Sequence, residues 1–289
     1  MTAPIAVTGA TGRLGGRVAR RLGAAGIAQR LIVRDLQRAP DLAGAERACA
    51  TFADGPAVQA ALAGVRTALM VSASEAPDRV EQHRSFIDAA VAAGIEHLVY
   101  ISFYGASPEA TFTLARDHWA TEEHIKTSGM RWTFLRDNLY LDFLPGMAGV
   151  DGVIRGPAGD GVVAAVAQDD IADVAAVVLQ SPADHVRQIY QLTGPEALSM
   201  DQVATALTEV SGRPVRYEQE TIDQAYLSRA HYGAPQFEVD AWVSTYTAIA
   251  MGEVAGVTDD VSTVAGHPAI PLDALLRAYP ESYAHLVLS

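Results

Sequence analysis

Cysteine and lysine are nearly missing from this chain, and positive charge is in deficit. A single cysteine, Cys49, excludes an internal disulfide and a thiolate zinc cluster. It falls in a stretch, 46–52, that reads as a strand, so a buried thiol is expected rather than a reactive one. Of the 21 basic residues only Lys126 is a lysine, and against 34 acidic residues the formal net charge is -13. That balance argues against a nucleic-acid partner, because phosphate backbones demand a basic surface. No run of about twenty apolar residues and no signal-peptide pattern is present. The expectation is a cytoplasmic protein with no membrane partner. Repeats, low-complexity tracts and linkers are also missing.

What is present is a large apolar fraction, 49% of 289 residues, enough for one large domain or a two-lobed one. The chain opens on a short apolar run, Ile5-Ala6-Val7, followed by Gly9, Gly12 and Gly15 in the spacing G-x-x-G-x-x-G. From Arg13 the pattern turns helical, with Leu14, Val18 and Leu22 at intervals of four. Strand, glycine turn and helix together form the context of a dinucleotide fingerprint. Gly9 and Gly12 permit the tight turn and a close approach to a pyrophosphate, and Gly15 lets the helix pack on the strand. The free amides at the helix start then face the phosphates.

Strands at 30–34, 47–52, 67–72, 97–102 and 131–135 alternate with helices at 56–63, 79–93 and 115–127. On the long helix Val80, Phe86, Ile87, Ala90 and Val91 share a side. Repeated βαβα units with nearly continuous apolar strands predict an α/β fold, a doubly wound parallel sheet of the Rossmann kind. After Arg136 the rhythm changes. A helix is expected over 138–147, Gly/Pro-rich turns over 149–161, a helix over 169–179 and a strand over 189–192. Ser199 is placed to cap a helix running to about Val210. The expected division is an NAD(P)-binding lobe over 1–137, rejoined by 163–194, and a smaller substrate lobe over 138–162 and 195–289.

The second strand ends Val33-Arg34-Asp35, with Arg38 close behind. An acidic residue there holds the ribose of NAD, whereas an arginine accommodates the 2′-phosphate of NADP. Arg34 comes first, so NADP(H) is expected, with NAD(H) as the alternative. The strand ends carry Ser72-Ala73-Ser74, Ser102-Phe103-Tyr104 and Arg136-Asp137-Asn138-Leu139-Tyr140. These are candidate contacts to the nicotinamide end. His118 and Glu122 lie one helical turn apart and can orient each other, but a metal site needs more converging ligands and none is expected. The remaining histidines form no spaced constellation, and Trp119, Trp132 and Trp242 read as packing residues.

Taken together, Thr8–Gly16, Ile32–Asp35, and 114–126 running into Thr133–Tyr140 resemble the NmrA-like atypical short-chain dehydrogenases. The nearest similarity is to the bacterial branch of quinone and triphenylmethane reductases. The likeness extends to Val210-Ser211-Gly212 and Gly266-His267-Pro268. It implies hydride transfer from NADP(H) to a planar aromatic or quinone acceptor. It also implies that Gly9, Thr11, Gly12, Arg13, Leu14 and Arg34 bind the cofactor, that Ser72, Ser74, Ser102 and Asn138 lie near its ribose and nicotinamide, and that Tyr104, His118 and Tyr140 border the acceptor. A homodimer is compatible with it. The arginine bias is that of a GC-rich genome and leaves room for tailoring of an aromatic polyketide. The same family includes regulators that bind the cofactor without turning it over, and that is the alternative function.

One departure matters. Ordinary short-chain dehydrogenases use Tyr-x-x-x-Lys, the lysine lowering the tyrosine pKa for proton transfer. Lys126 stands four residues after Glu122, so this chain cannot contain that pair. Ordinary alcohol–ketone interconversion, and sugar-nucleotide epimerisation with it, is disfavoured. A quinone, by contrast, accepts hydride readily and can take its proton from water.

Overall fold

The computed structural model describes residues 3–287. Its centre is a parallel sheet built from the apolar runs. β1 (Ile5–Thr8) is buried along its whole length and leads through the glycine turn into α1 (Arg13–Ala24). There follow β2 (Gln29–Val33), β3 (Ala45–Cys49), α2 (Gly55–Leu62), β4 (Thr67–Met70) and α3 (Arg79–Ala92). β5 (His97–Phe103), buried at every position, α4 (Thr113–Thr127) and β6 (Arg131–Asp137) complete the alternation. The spatial order is β3-β2-β1-β4-β5-β6-β9, all pairs parallel, with β9 (Gln188–Leu192) added beside β6. The order reverses between β1 and β4. Ligands of such sheets bind in the crevice at the carboxyl ends next to that reversal.

Leu14, Val18 and Leu22 of α1 are buried against one face of the sheet, together with Ile171, Val174 and Val178 of α5 (Gln168–Gln180). Two arginines on the outer side stitch these helices together. Arg17 reaches Asp169 at 3.2 Å and Asp142 at 3.1 Å, and Arg21 reaches Asp173 at 2.6 Å. On the other face Phe86, Ile87, Leu98, Tyr100 and Phe134 form a second core.

Three expectations are corrected. The face of α3 differs in part from the one expected: Phe86, Ile87 and Ala90 are buried, but Val91 is exposed, and Arg79 and His83 are buried as well. Cys49 is exposed, because β3 is the edge strand and most of its side chains lie open. The segment expected to be helical from 138 is extended through Tyr140, which forms a parallel bridge with Val166. Only Leu141–Met147 turns, as a 3-10 helix containing Pro145. Bonding of Leu141 N–H to the Val166 carbonyl, at 2.9 Å, holds the chain extended at that point.

Most of the rest of the chain lies beyond this sheet, although Val261 joins the core of α1 and α5. β7 (Val153–Gly156) pairs with β11 (Arg216–Gln219), and β8 (Val162–Val163) with β10 (Leu198–Ser199). α6 (Met200–Ser211), α7 (Ile222–Arg229) and α8 (Gln236–Ala250) follow, α6 opening on a Ser199–Gln202 capping box. α9 (Asp260–Ala265) and α10 (Leu272–Ala278) come next, followed by a 3-10 turn over Pro280–Leu286. Phe103 and Phe112 pack into the same core as Leu207, Tyr246, Ile249 and Leu276.

Candidate active site

The glycine turn has the geometry of a phosphate cradle. Gly9 takes φ +65°, a conformation that side chains disfavour. A Cβ on Gly15 would lie 2.4 Å from the Gly9 carbonyl oxygen and 2.7 Å from that of Thr8, so only glycine lets α1 sit this close to β1. Gly12 N–H donates to the Gly9 carbonyl at 2.9 Å and closes the turn. No side chain caps the start of α1 and no acidic residue stands in its first turn. Its amides and dipole are therefore left for an anion. Thr11, Gly12 and Arg13 are exposed around this start, whereas Leu14 is buried and anchors it. The residues thus fit a dinucleotide pyrophosphate.

At the end of β2, Arg34 and Arg38 are exposed. Asp35 is engaged elsewhere: its carboxylate accepts the Gln37 N–H at 2.9 Å and caps the 3-10 turn Leu36–Arg38. Of the two neighbours that sequence offers, the acidic one is held by its own backbone and the guanidinium is free of such a bond. Cys49 Sγ lies 3.5 Å from the Arg34 carbonyl oxygen, at the rim of the same corner.

At the nicotinamide end the strand-end residues separate into two groups. Ser72 is half-buried and Ser74 exposed, on the loop after β4. That loop is pinned from below: Ala73 N–H donates to His83 Nε2 at 2.9 Å, and the Ala73 carbonyl accepts from Arg79 Nε at 3.0 Å. Tyr104 is half-buried, its N–H bonded to the Asp137 carbonyl at 2.8 Å. Tyr140 is half-buried and stands edge-on to Phe143 at 5.2 Å, and the Arg13 guanidinium lies 5.8 Å above the Phe143 ring. Arg13, Phe143 and Tyr140 therefore run in contact from the glycine turn toward the end of β6.

Ser102, His118 and Asn138 are turned inward. The Ser102 hydroxyl donates to Glu122 Oε1 at 2.6 Å, and Arg136 grips both Glu122 oxygens at 2.8 and 2.6 Å. Glu122 is fully buried in this clamp and makes no bond to His118, contrary to the expected mutual orientation. Asn138 is fully buried. Its Nδ2 donates to the Val254 carbonyl at 2.9 Å and its Oδ1 accepts the Leu139 N–H at 2.8 Å, which fixes the loop after α8 to the end of β6.

His118 is 6% exposed, and its two nitrogens are both engaged. Arg79 approaches Nε2 at 3.0 Å and can only donate, so Nε2 must accept. Nδ1 then carries the proton and donates to the Tyr100 oxygen at 2.8 Å. Burial, and next the Arg79 charge, hold the imidazole well below its ordinary pKa. His83 is placed likewise: Nε2 accepts from Ala73, Nδ1 faces the Thr121 hydroxyl at 2.8 Å, and burial with Arg79 pulls its pKa down to about 3. Both nitrogens of each histidine are thus engaged in the interior, and burial disfavours protonation of either ring.

Residues 1–249 match the NmrA-like family. The chain belongs to that family. An NAD(P)H azoreductase of Xenophilus azovorans is 33% identical over 284 residues, covering 96% of this chain and 99% of that protein. The NADPH complex of an NADPH-dependent quinone oxidoreductase from Escherichia coli superimposes with TM-score 0.87 at 32% identity, over 95% of this chain and 99% of the other. The NADP(H) complex of Citrobacter triphenylmethane reductase gives TM-score 0.86, again at 32% identity and over 95% and 99% of the two chains.

Arg79, His83 and Tyr100, all buried next to His118 or the loop after β4, were not among the residues expected from sequence. Arg79 and His83 are four residues apart on a helix face, a spacing that was visible, but the apolar residues nearby drew the face elsewhere. The fold also gathers Asp170, Asp173 and His267, one ligand atom from each lying within 4.8 Å of the others, although their spacing in sequence gave no sign of it. Arg21 already pairs with that Asp173.

Proposed function

We propose that this chain is an NAD(P)H-dependent oxidoreductase that reduces quinone-like, azo or other extended aromatic acceptors, with NADPH preferred. Bound in the crevice, the nicotinamide supplies the hydride. The protein positions the acceptor and keeps water away. Gly9, Thr11, Gly12, Arg13 and Leu14 shape the pyrophosphate cradle, and Arg34 takes the 2′-phosphate. Ser72 and Ser74 stand on the pinned loop at the nicotinamide ribose. Tyr104 and Tyr140 flank the planar acceptor. The lobes belong to the same reading: 1–137 with 163–194 hold the cofactor, and 138–162 with 195–289 cover the acceptor.

The observation that carries the reading is the Ser102–Glu122–Arg136 clamp. The chain has no Tyr-x-x-x-Lys pair, and Glu122, four residues before Lys126, is a buried carboxylate neutralised by Arg136. Such a site is suited to acceptors that take hydride without a dedicated alkoxide relay. The similarity to azo, quinone and dye reductases supports the same class, and the arginine-rich composition is compatible with an aromatic polyketide as acceptor.

The test is NADPH oxidation by the purified protein against quinones, azo dyes, triarylmethane dyes and polyketide-like ketones. Turnover with planar acceptors is expected. Tight NADPH binding with no turnover across the panel would instead support a cofactor-sensing regulator.

A further inference from the structure

Some acceptors of this class need a proton as well as a hydride, and one buried group is placed to supply it. β6 ends at Asp137, which is 3% exposed. Its Oδ2 is buried and has no hydrogen-bond partner among the described residues. An ionised carboxylate in that state is far costlier than a carboxyl that keeps its proton. The Tyr140 hydroxyl lies beside this carboxyl, and the ring of Tyr140 reaches Phe143 under Arg13. The Asp137 carbonyl also anchors Tyr104. The carboxyl, Tyr140 and, through Phe143 and Arg13, the glycine turn thus line one stretch of the carboxyl edge of the sheet.

We propose that Asp137 is the proton reservoir for Tyr140, and that the pair protonates acceptors whose hydride adduct is a strong base, such as an azo N=N. The proposal rests on the reductase reading above and names a substrate class within it. For an azo compound, one nitrogen takes the hydride and the N=N π bond breaks. The other nitrogen takes the Tyr140 proton, giving the hydrazine and the oxidised cofactor. The Tyr140 oxygen recovers a proton from the Asp137 carboxyl, and the Asp137 carboxylate is reprotonated from water. Asp137 acts through Tyr140 and is a positioning and supplying residue; Tyr140 is the group that touches the acceptor.

The groups facing the pair are Arg79 from α3, Tyr100 from β5 and Asp142 from the turn after β6. Burial outweighs Arg79 and holds the Asp137 carboxyl well above the ordinary carboxylate range. Burial, and then Asp137 itself, raise the Tyr140 phenol. Both shifts favour the proton-bearing form of each group. His118 cannot take this part, since both of its nitrogens are occupied.

The test compares two acceptors with NADPH: a cationic triarylmethane dye, which hydride alone converts to a neutral product, and an azo dye, which needs hydride and proton. Asp137→Asn, close in size, and Tyr140→Phe are measured beside the wild type. Each variant should lower the azo rate by ~10²-fold or more relative to its own cationic-dye rate. In the wild type the azo rate should fall at high pH while the dye rate follows a different profile, and Asp137→Asn should remove that fall. Infrared spectra of the cofactor-free protein at neutral pH should show a protonated-carboxyl band that Asp137→Asn lacks. Equal losses on both acceptors, or no such band, would overturn the proposal and leave the reductase reading standing. A wild type that reduces neither acceptor would overturn both.

Discussion

The guanidinium of Arg79 lies 3.0 Å from Nε2 of His118, in a pocket where Arg79 is 3% exposed. A cation aimed at an imidazole lone pair fixes the tautomer and forbids protonation. The same arginine holds the Ala73 carbonyl at 3.0 Å and Asp117 at 3.3 Å. His118 and Arg79 thus set the loop that carries Ser72 and Ser74. His118→Ala should lower stability and weaken NADPH binding through that loop, without removing an acidic limb from the pH–rate profile. A loss confined to turnover, of the ~10²–10⁴-fold size typical of a lost general acid, would show that His118 donates a proton after all.

Acid should destabilise the fold through its buried histidines. Burial is the main cause that lowers His83 from 6.5 to about 3 and His97 to about 4, with Arg79 and Arg131 adding to it respectively. Between those values and 6.5 the unfolded chain binds more protons than the folded one, so stability rises with pH there. The stabilisation is complete above 6.5 and is lost as pH falls toward 4 and then 3. Asp170 works against this: burial raises its pKa to about 6, so its contribution is present at low pH and lost as pH rises through about 6. Replacing His83 with Gln should reduce the slope of unfolding free energy between pH 4 and 6 by up to about 1.4 kcal/mol per pH unit. Denaturant titrations at several pH values measure it; an unchanged slope would refute the assignment.

Glu122 balances Arg136 and accepts from Ser102 while fully buried. Glu122→Ala leaves a mostly buried guanidinium without its counter-ion. Removal of one partner from such a pair typically costs ~3–5 kcal/mol. A midpoint shift in chemical denaturation reads this directly, and a loss below about 1 kcal/mol would mean the clamp is solvated.

Much of this fold was legible in the sequence because the buried parallel strands are apolar runs and the glycine turn is punctuated at fixed spacing. The errors have physical causes. Edge position exposed Cys49 despite its strand, and a tertiary bridge to Val166 kept Tyr140 extended where local pattern suggested helix. The glycine turn is local in sequence, so its tight geometry was readable. The Arg79–His118–Tyr100 chain joins α3, α4 and β5, and no spacing along one element announces it. Sequence order alone favoured Arg34 over Asp35; the Gln37 cap adds a structural difference between them.

Cofactor choice follows from that cap. Arg34→Ala should weaken NADPH and spare NADH, by ~1.5–3 kcal/mol for a charge-assisted contact, or roughly tenfold or more in affinity. Calorimetry with both cofactors decides it. Equal effects would place Arg34 away from the 2′ position.

Direct hydride delivery to a planar acceptor is the central claim. It is tested most directly by turnover of a triarylmethane dye with NADPH doubly deuterated at C4 of the nicotinamide. The account predicts one deuterium at the central carbon of the colourless product, seen by mass spectrometry. Oxidation of the cofactor that leaves this carbon unlabelled, or no oxidation with this or any other planar acceptor, would contradict it.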